Sequence, residues 1–160
     1  MRKYLFDSPI GRILVEIEDK SLVGVELGGR TKRFDESNHG NKVISQLGEY
    51  FAGKRKEFSV EFMLGGTEFQ EKVWEEISKI PFGETVSYKE LSWRVGRSKA
   101  YRAVANACGA NPVPIVVPCH RVVGSTSTSL RVNSFVNNLG GYSSGIEKKK
   151  WLLKHEGVDL

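Results

Sequence analysis

Cysteine is scarce in this chain, with two residues in 160, too few for a disulfide framework, so Cys108 and Cys119 have to be weighed as packing or as chemistry. Histidine is nearly as rare, at three. Residues 1 to 66 hold no cysteine and only His39, which excludes a tetrahedral metal site there, and a metal-free protein is expected. No uninterrupted apolar run approaches the ~18 residues of a membrane-spanning helix, so a bilayer-embedded role is excluded. Residues 1 to 20 alternate apolar with charged side chains and lack the apolar core and small-residue cleavage site of a secretory signal. A cytoplasmic protein, nuclear in a eukaryote, is the expectation.

What is present is ordinary globular material, 39% apolar and 27% charged, in a length that allows at most two small domains. Charge is placed unevenly. Residues 1 to 84 hold 13 Lys and Arg against 15 Asp and Glu, while residues 85 to 160 hold 11 against 4. The whole positive excess therefore lies in the second half, which fits either a polyanionic partner or a solvated basic face.

Short β-branched and apolar runs at Leu5 to Phe6, Ile13 to Ile17 and Leu22 to Leu27, parted by turn signals at Ser8 to Gly11 and Glu18 to Lys20, predict an antiparallel meander. A helix is expected from Asn41 to Ala52 and a further strand over Phe58 to Phe62. The Gly65-Gly66 pair then marks a boundary between domains at 1–64 and 67–160. Beyond it, Thr67 to Gln70 and Ser87 to Glu90 read as capping boxes opening two helices, and Ser98 as the cap of a third that runs to Gly109. The second and third, joined through Gly96-Arg97-Ser98, fit a helix-turn-helix.

The third helix puts Lys99, Arg102, Asn106 and Gly109 on one arc, opposite Ala100, Ala103, Val104, Ala107 and Cys108. That pattern suits a helix entering a nucleic-acid groove, and equally a tightly packed amphipathic helix. Cys108, on the apolar face, reads as structural. Cys119 does not, because an apolar strand delivers it beside His120 and Arg121. A thiol near pKa 8.5 is only about 3% thiolate at pH 7, and a lowering of about two units would make thiolate the majority form. On an extended strand neighbouring side chains diverge, so His120 needs either a bridging water or a chain bend to reach Cys119.

Pro118-Cys119-His120-Arg121-Val122, with Asn111-Pro112 before it, Gly140 to Ser143 after it and Trp151 to Gly157 near the end, closely resembles the O6-alkylguanine-DNA alkyltransferase family, the methylated-DNA--protein-cysteine methyltransferases. The likeness extends over residues 67 to 160. It implies an α+β fold, an RNase H-like antiparallel sheet with helix followed by a helical, winged-helix-like DNA-binding domain. It also implies DNA repair by direct reversal, in which an extrahelical guanine gives up its O6-alkyl group irreversibly to the protein. By the family pattern Cys119 is the acceptor, His120 its base through a water, Glu156 the carboxylate that orients the imidazole, and Asn111 a hydrogen-bonding partner around the thiol. Tyr88 matches the tyrosine that presses on the 3′ phosphate, and Arg102 the arginine that fills the vacated stack. Ser98, Lys99, Ala103 and Asn106 are the further DNA contacts implied. Tyr142, the Ser143 backbone N–H and the carbonyls of Cys119 and Val122 are the expected guanine contacts.

An in-line displacement of this kind needs a thiolate, alignment and a donor for the leaving oxygen, and no cofactor is expected. The implied partner is double-stranded DNA carrying O6-alkylguanine, with O4-alkylthymine an open second lesion, and the protein is expected to act as a monomer. One departure from the family pattern remains. Gly124 to Leu139 is a stretch of 16 residues, about ten longer than the resemblance implies, and reads as a surface loop or as a flap in which Arg131 is the one cation. Lys148 to Lys150 reads as a solvated helix face rather than a phosphate clamp, and His39 and His155 as surface residues. A non-catalytic lesion binder and a cysteine hydrolase are the competing functions.

Overall fold

The computed structural model describes residues 1–28, 41–124 and 139–159. His39, Arg131 and the body of the long stretch after Gly124 lie outside the described residues. The chain divides into two compact units, residues 1–64 with 112–114, and residues 65–111 with 115–160.

In the first unit β1 (Arg2–Ser8), β2 (Gly11–Glu18) and β3 (Ser21–Leu27) form the expected antiparallel meander in the order β1-β2-β3. Asp19 and Lys20 both take positive φ, 47° and 71°, as a tight two-residue hairpin turn with the twist of its strands requires. Ile13, Leu14 and Val15 of the central strand are all buried, so this strand is covered on both faces rather than alternating. Helix α1 (Lys42–Phe51) starts where the Asn41 side chain accepts the Val43 and Ile44 amides, and buries Val43, Gln46, Leu47 and Tyr50 at helical spacing. The strand expected over Phe58 to Phe62 does not form, leaving one bridge from Phe62 to Leu22. The Ser59 amide is taken by the Gln46 side chain at 2.9 Å, which withdraws it from any ladder.

The second unit is helical: α2 (Glu68–Ser78), α3 (Tyr88–Arg94), α4 (Tyr101–Gly109) and α5 (Ile146–His155), with a short parallel pair of β4 (Val86–Ser87) and β5 (Val122–Val123). Thr67 and Gln70 make both bonds of the capping box, and Ser87 caps α3 through the Glu90 amide. Trp74 Nε1 donates to the Ala107 carbonyl at 2.8 Å and ties α2 to α4. Helix α4 begins later than the sequence suggests. Ser98 and Lys99 stand in a turn closed by the Ala100 N–H on the Arg97 carbonyl, and Ala100, without a side-chain bond, occupies the cap position. Ala103 is exposed rather than packed, since at 100° per residue it lies about 60° from the exposed Asn106 on the helix circumference. No helix among the described residues is long and apolar enough to cross a membrane.

Candidate active site

The apolar segment that delivers Cys119 ends in a bend. Ile115 is fully buried with φ of 76°, a strained conformation for a β-branched residue, and Cys119–Arg121 forms a single 3-10 turn. A chain bend is therefore present at His120. It turns the imidazole into the core, where it is 0% exposed and its Nε2 lies 2.6 Å from Glu156 Oε2.

Glu156, the last-turn cap of α5, holds two partners at once. Arg121 donates through Nε to Oε1 at 2.6 Å and through Nη1 to the Ile80 carbonyl at 2.7 Å. Burial opposes charge on Glu156, but the His120 and Arg121 bonds prevail and hold its carboxyl down to about 2. Burial also lowers the His120 pKa against the raising pull of Glu156, so the imidazole is neutral at pH 7. A carboxylate only accepts, so Nε2 carries the proton and Nδ1 keeps its lone pair. Nδ1 is buried and without a hydrogen-bond partner among the described residues. A neutral imidazole with a free Nδ1 and a carboxylate behind it is a base in waiting.

The thiol differs from expectation. Burial pushes the Cys119 pKa up, and its bond to the Asn111 side chain and the nearby Lys149 ammonium only partly offset this. The resting sulfur is therefore a protonated thiol, and its proton has to leave as the sulfur reacts. Asn111 also donates through Nδ2 to the Val117 carbonyl at 2.7 Å, fixing the segment that leads to Cys119.

Cys119 opens onto a cavity of about 400 Å³, walled by Tyr88, by Ala105, Cys108 and Gly109 of α4, and by Gly141, Tyr142 and Ser143. The Ser143 hydroxyl donates to the Gly109 carbonyl at 2.8 Å, holding this loop to the end of α4. Gly140 has φ of 73°, and a Cβ there would stand 2.6 Å from the Tyr88 ring, so only glycine lets the loop approach that wall. Val122 does not line the cavity; its carbonyl accepts from Lys149 Nζ at 2.6 Å. Ser98, Lys99, Arg102, Ala103 and Asn106 are exposed on α4 and the turn before it, outside the cavity lining.

Three participants were not legible as such in the sequence. Lys149 is fully buried, not part of a solvated face: its ammonium also donates to the Gly141 carbonyl at 3.0 Å, and burial lowers its pKa to about 8. A signal existed, because Lys149, Leu152, Leu153 and Glu156 share one helical face. Arg121 belongs to the carboxylate network, and Cys108 lines the cavity within the field of Lys149 rather than serving packing alone. Among the described residues no three His, Cys, Asp or Glu side chains converge as a metal site.

Comparison with known proteins accounts for both units. Family models of the 6-O-methylguanine DNA methyltransferase match the chain in two parts, the ribonuclease-like domain at residues 1–64 and the DNA binding domain at residues 68–158. A probable methylated-DNA--protein-cysteine methyltransferase of Acanthamoeba polyphaga mimivirus is 51% identical over 114 residues, 71% of this chain and 69% of its own. A methylated-DNA--protein-cysteine methyltransferase of Methanosarcina barkeri is 36% identical over 98% of this chain and 97% of its own length. The crystal structure of Mycobacterium tuberculosis OGT in complex with DNA matches with a TM-score of 0.83 at 38% identity, covering 98% of this chain and 92% of that one. With both halves matched and near full-length relatives above 30% identity, the chain belongs to the 6-O-methylguanine DNA methyltransferase family.

Proposed function

We propose that Cys119 is the residue on which this chain carries out its family's reaction. The activity is DNA repair by direct reversal: the O6-alkyl group of guanine passes to a cysteine of the protein itself, once and irreversibly. The observation that carries the assignment is a thiol opening onto a cavity of about 400 Å³, with the His120–Glu156 pair behind it.

The reaction forms an S–C bond and breaks the C–O6 bond in one in-line step. As the sulfur attacks, its proton passes through a water to Nδ1 of His120, and Glu156 stabilises the resulting imidazolium. Asn111 holds the thiol, Tyr142 and the Ser143 amide hold the base and donate to the departing oxygen, and the Cys119 carbonyl receives its exocyclic amine. At the cavity wall Tyr88 presses on the 3′ phosphate, and on the outer face Arg102 fills the stack while Ser98, Lys99, Ala103 and Asn106 contact the duplex. Extruding a base costs a few kcal/mol, least for a damaged one, so lesions are favoured over normal guanine. In this reading residues 67–160 form the reactive and DNA-binding domain and residues 1–64 a separate one, and the protein acts as a monomer in the cytoplasm, or in the nucleus of a eukaryote, without a cofactor. O4-alkylthymine is a second candidate lesion.

The test is mass spectrometry after incubation with duplex DNA containing O6-methylguanine. The expected result is a peptide heavier by one CH2 at Cys119, absent in Cys119→Ser. Binding without the adduct would instead make the chain a lesion-binding protein, and turnover beyond one equivalent a hydrolase.

A further inference from the structure

Cys108 and Cys119 are the only cysteines in the chain, and both open onto the same cavity. They come from different elements, the end of α4 and the 3-10 turn. Asn111 ties the two positions together. Its backbone N–H donates to the Cys108 carbonyl at 3.3 Å, its side chain donates to the Val117 carbonyl at 2.7 Å, and it hydrogen-bonds the Cys119 thiol. The Cys108 backbone and the Cys119 thiol thus share one partner. Charge on one is felt by the other, and the Lys149 ammonium favours the thiolate form of both.

Two thiols lining one cavity offer two soft donors to a single electrophile. The walls decide which kind. Among the described residues no carboxylate lines the cavity, and a buried ammonium stands beside it. A divalent cation would meet that fixed positive charge and find two protein donors where a closed zinc site takes four. A neutral trivalent arsenic hydroxide meets neither obstacle.

We propose that Cys108 and Cys119 together form a dithiol site for trivalent arsenicals. Two As–O bonds are exchanged for two As–S bonds, each thiol proton leaves with a hydroxide as water, and arsenic stays trivalent, so no oxidant or reductant is required. Occupation engages the sulfur of Cys119. That consequence, a block of alkyl transfer, rests on the function proposed above, while the binding itself does not.

The experiment uses the reduced full-length protein and phenylarsine oxide as probe. One phenylarsenic group per chain should abolish both free thiols, as read by native mass spectrometry and thiol titration, and alkyl transfer should stop. A small dithiol should reverse the adduct, whereas the same concentration of glutathione should not. In Cys108→Ala and in Cys108→Ser, each compared with its own untreated rate, binding should weaken by at least about tenfold and become reversible by glutathione, because the second attachment is gone. Loss of a single thiol per arsenic in the unmodified protein, or glutathione-resistant binding in both variants, would overturn the proposal. An adduct on both thiols of a protein that takes up no methyl group supports the site and counts against the alkyl-transfer reading alone.

Discussion

Glu156 bonds His120 and Arg121 on one buried carboxylate, and the pair of linkages sets how the fold responds to acid. Its carboxyl lies near 2 when folded, against an ordinary 4.5, so its stabilisation is complete above pH 4.5 and is lost as the pH falls toward 2. His120 is also depressed by burial; the unfolded chain takes up that proton first, so stability begins to fall below pH 6.5. Both slopes run the same way. The urea midpoint should therefore decline steadily from pH 7 to pH 3, with Glu156 alone accounting for on the order of 3 kcal/mol over its full range. A midpoint unchanged between pH 7 and pH 4 would contradict this network. Lys149 has a different signature, since its cation favours the thiolate of Cys119. Lys149→Met should move the rising limb of the pH–rate profile with free O6-benzylguanine upward by about one unit. An equal loss of rate at every pH would mean that only its carbonyl bonds matter. The adjacent Cys119 and His120 announced themselves in the sequence because their chemistry is contiguous, whereas the role of Arg121 appeared only with its bond to Glu156. The upward shift of the thiol was not legible either, because burial is a property of the packed core, and Lys149 was hidden by the two more exposed lysines that flank it.

Helix α4 serves two surfaces with one short run of small residues. Val104, Ala107 and Cys108 face inward, while Arg102, Ala103, Asn106 and Gly109 are exposed, so the backbone of the outer face is open to close approach. Periodicity made this division readable in advance, except at Ala103, which sits where the two arcs meet. The start of the helix was not readable, because Ser98 is a good cap by type but the turn from Arg97 to Ala100 delays the first helical residue to Tyr101. The strand over Phe58 to Phe62 failed for a similar reason: its apolar alternation was real, and a side-chain bond from a neighbouring helix outcompeted the ladder. The outer arc of α4 gives a clean separation of roles. Arg102→Ala should weaken binding to lesion duplex by about tenfold or more, since the vacated stack goes unfilled, yet leave reaction with free O6-benzylguanine within about twofold. Equal losses on both substrates would place Arg102 in the chemistry rather than in base extrusion.

Over the whole chain, spending the protein on each lesion follows from the bond made. A thioether offers water no leaving group, so nothing in the site regenerates the sulfur, and recognition of the lesion must be secured before the reaction commits. Charge placement bears on that search. Residues 1 to 84 carry a net −2 and residues 85 to 160 a net +7, which concentrates attraction for phosphates in the part of the chain that holds Cys119 and α4. Exposed Ala and Gly offer few groups to base edges, so affinity should come from the backbone and depend little on sequence. Such binding releases counterions, and log affinity should fall linearly with log salt, by roughly 0.9 for each phosphate neutralised. Lys99, exposed in the turn before α4, is placed to be one such contact. Lys99→Ala should then reduce the slope by about one and weaken binding alike on lesion and undamaged duplex. Arg102→Ala should leave the slope nearly unchanged, because a side chain that enters the stack replaces a base rather than a counterion. Fluorescence anisotropy at four salt concentrations on both duplexes separates these outcomes, and a slope insensitive to Lys99 but reduced by loss of Arg102 would reverse the two assignments.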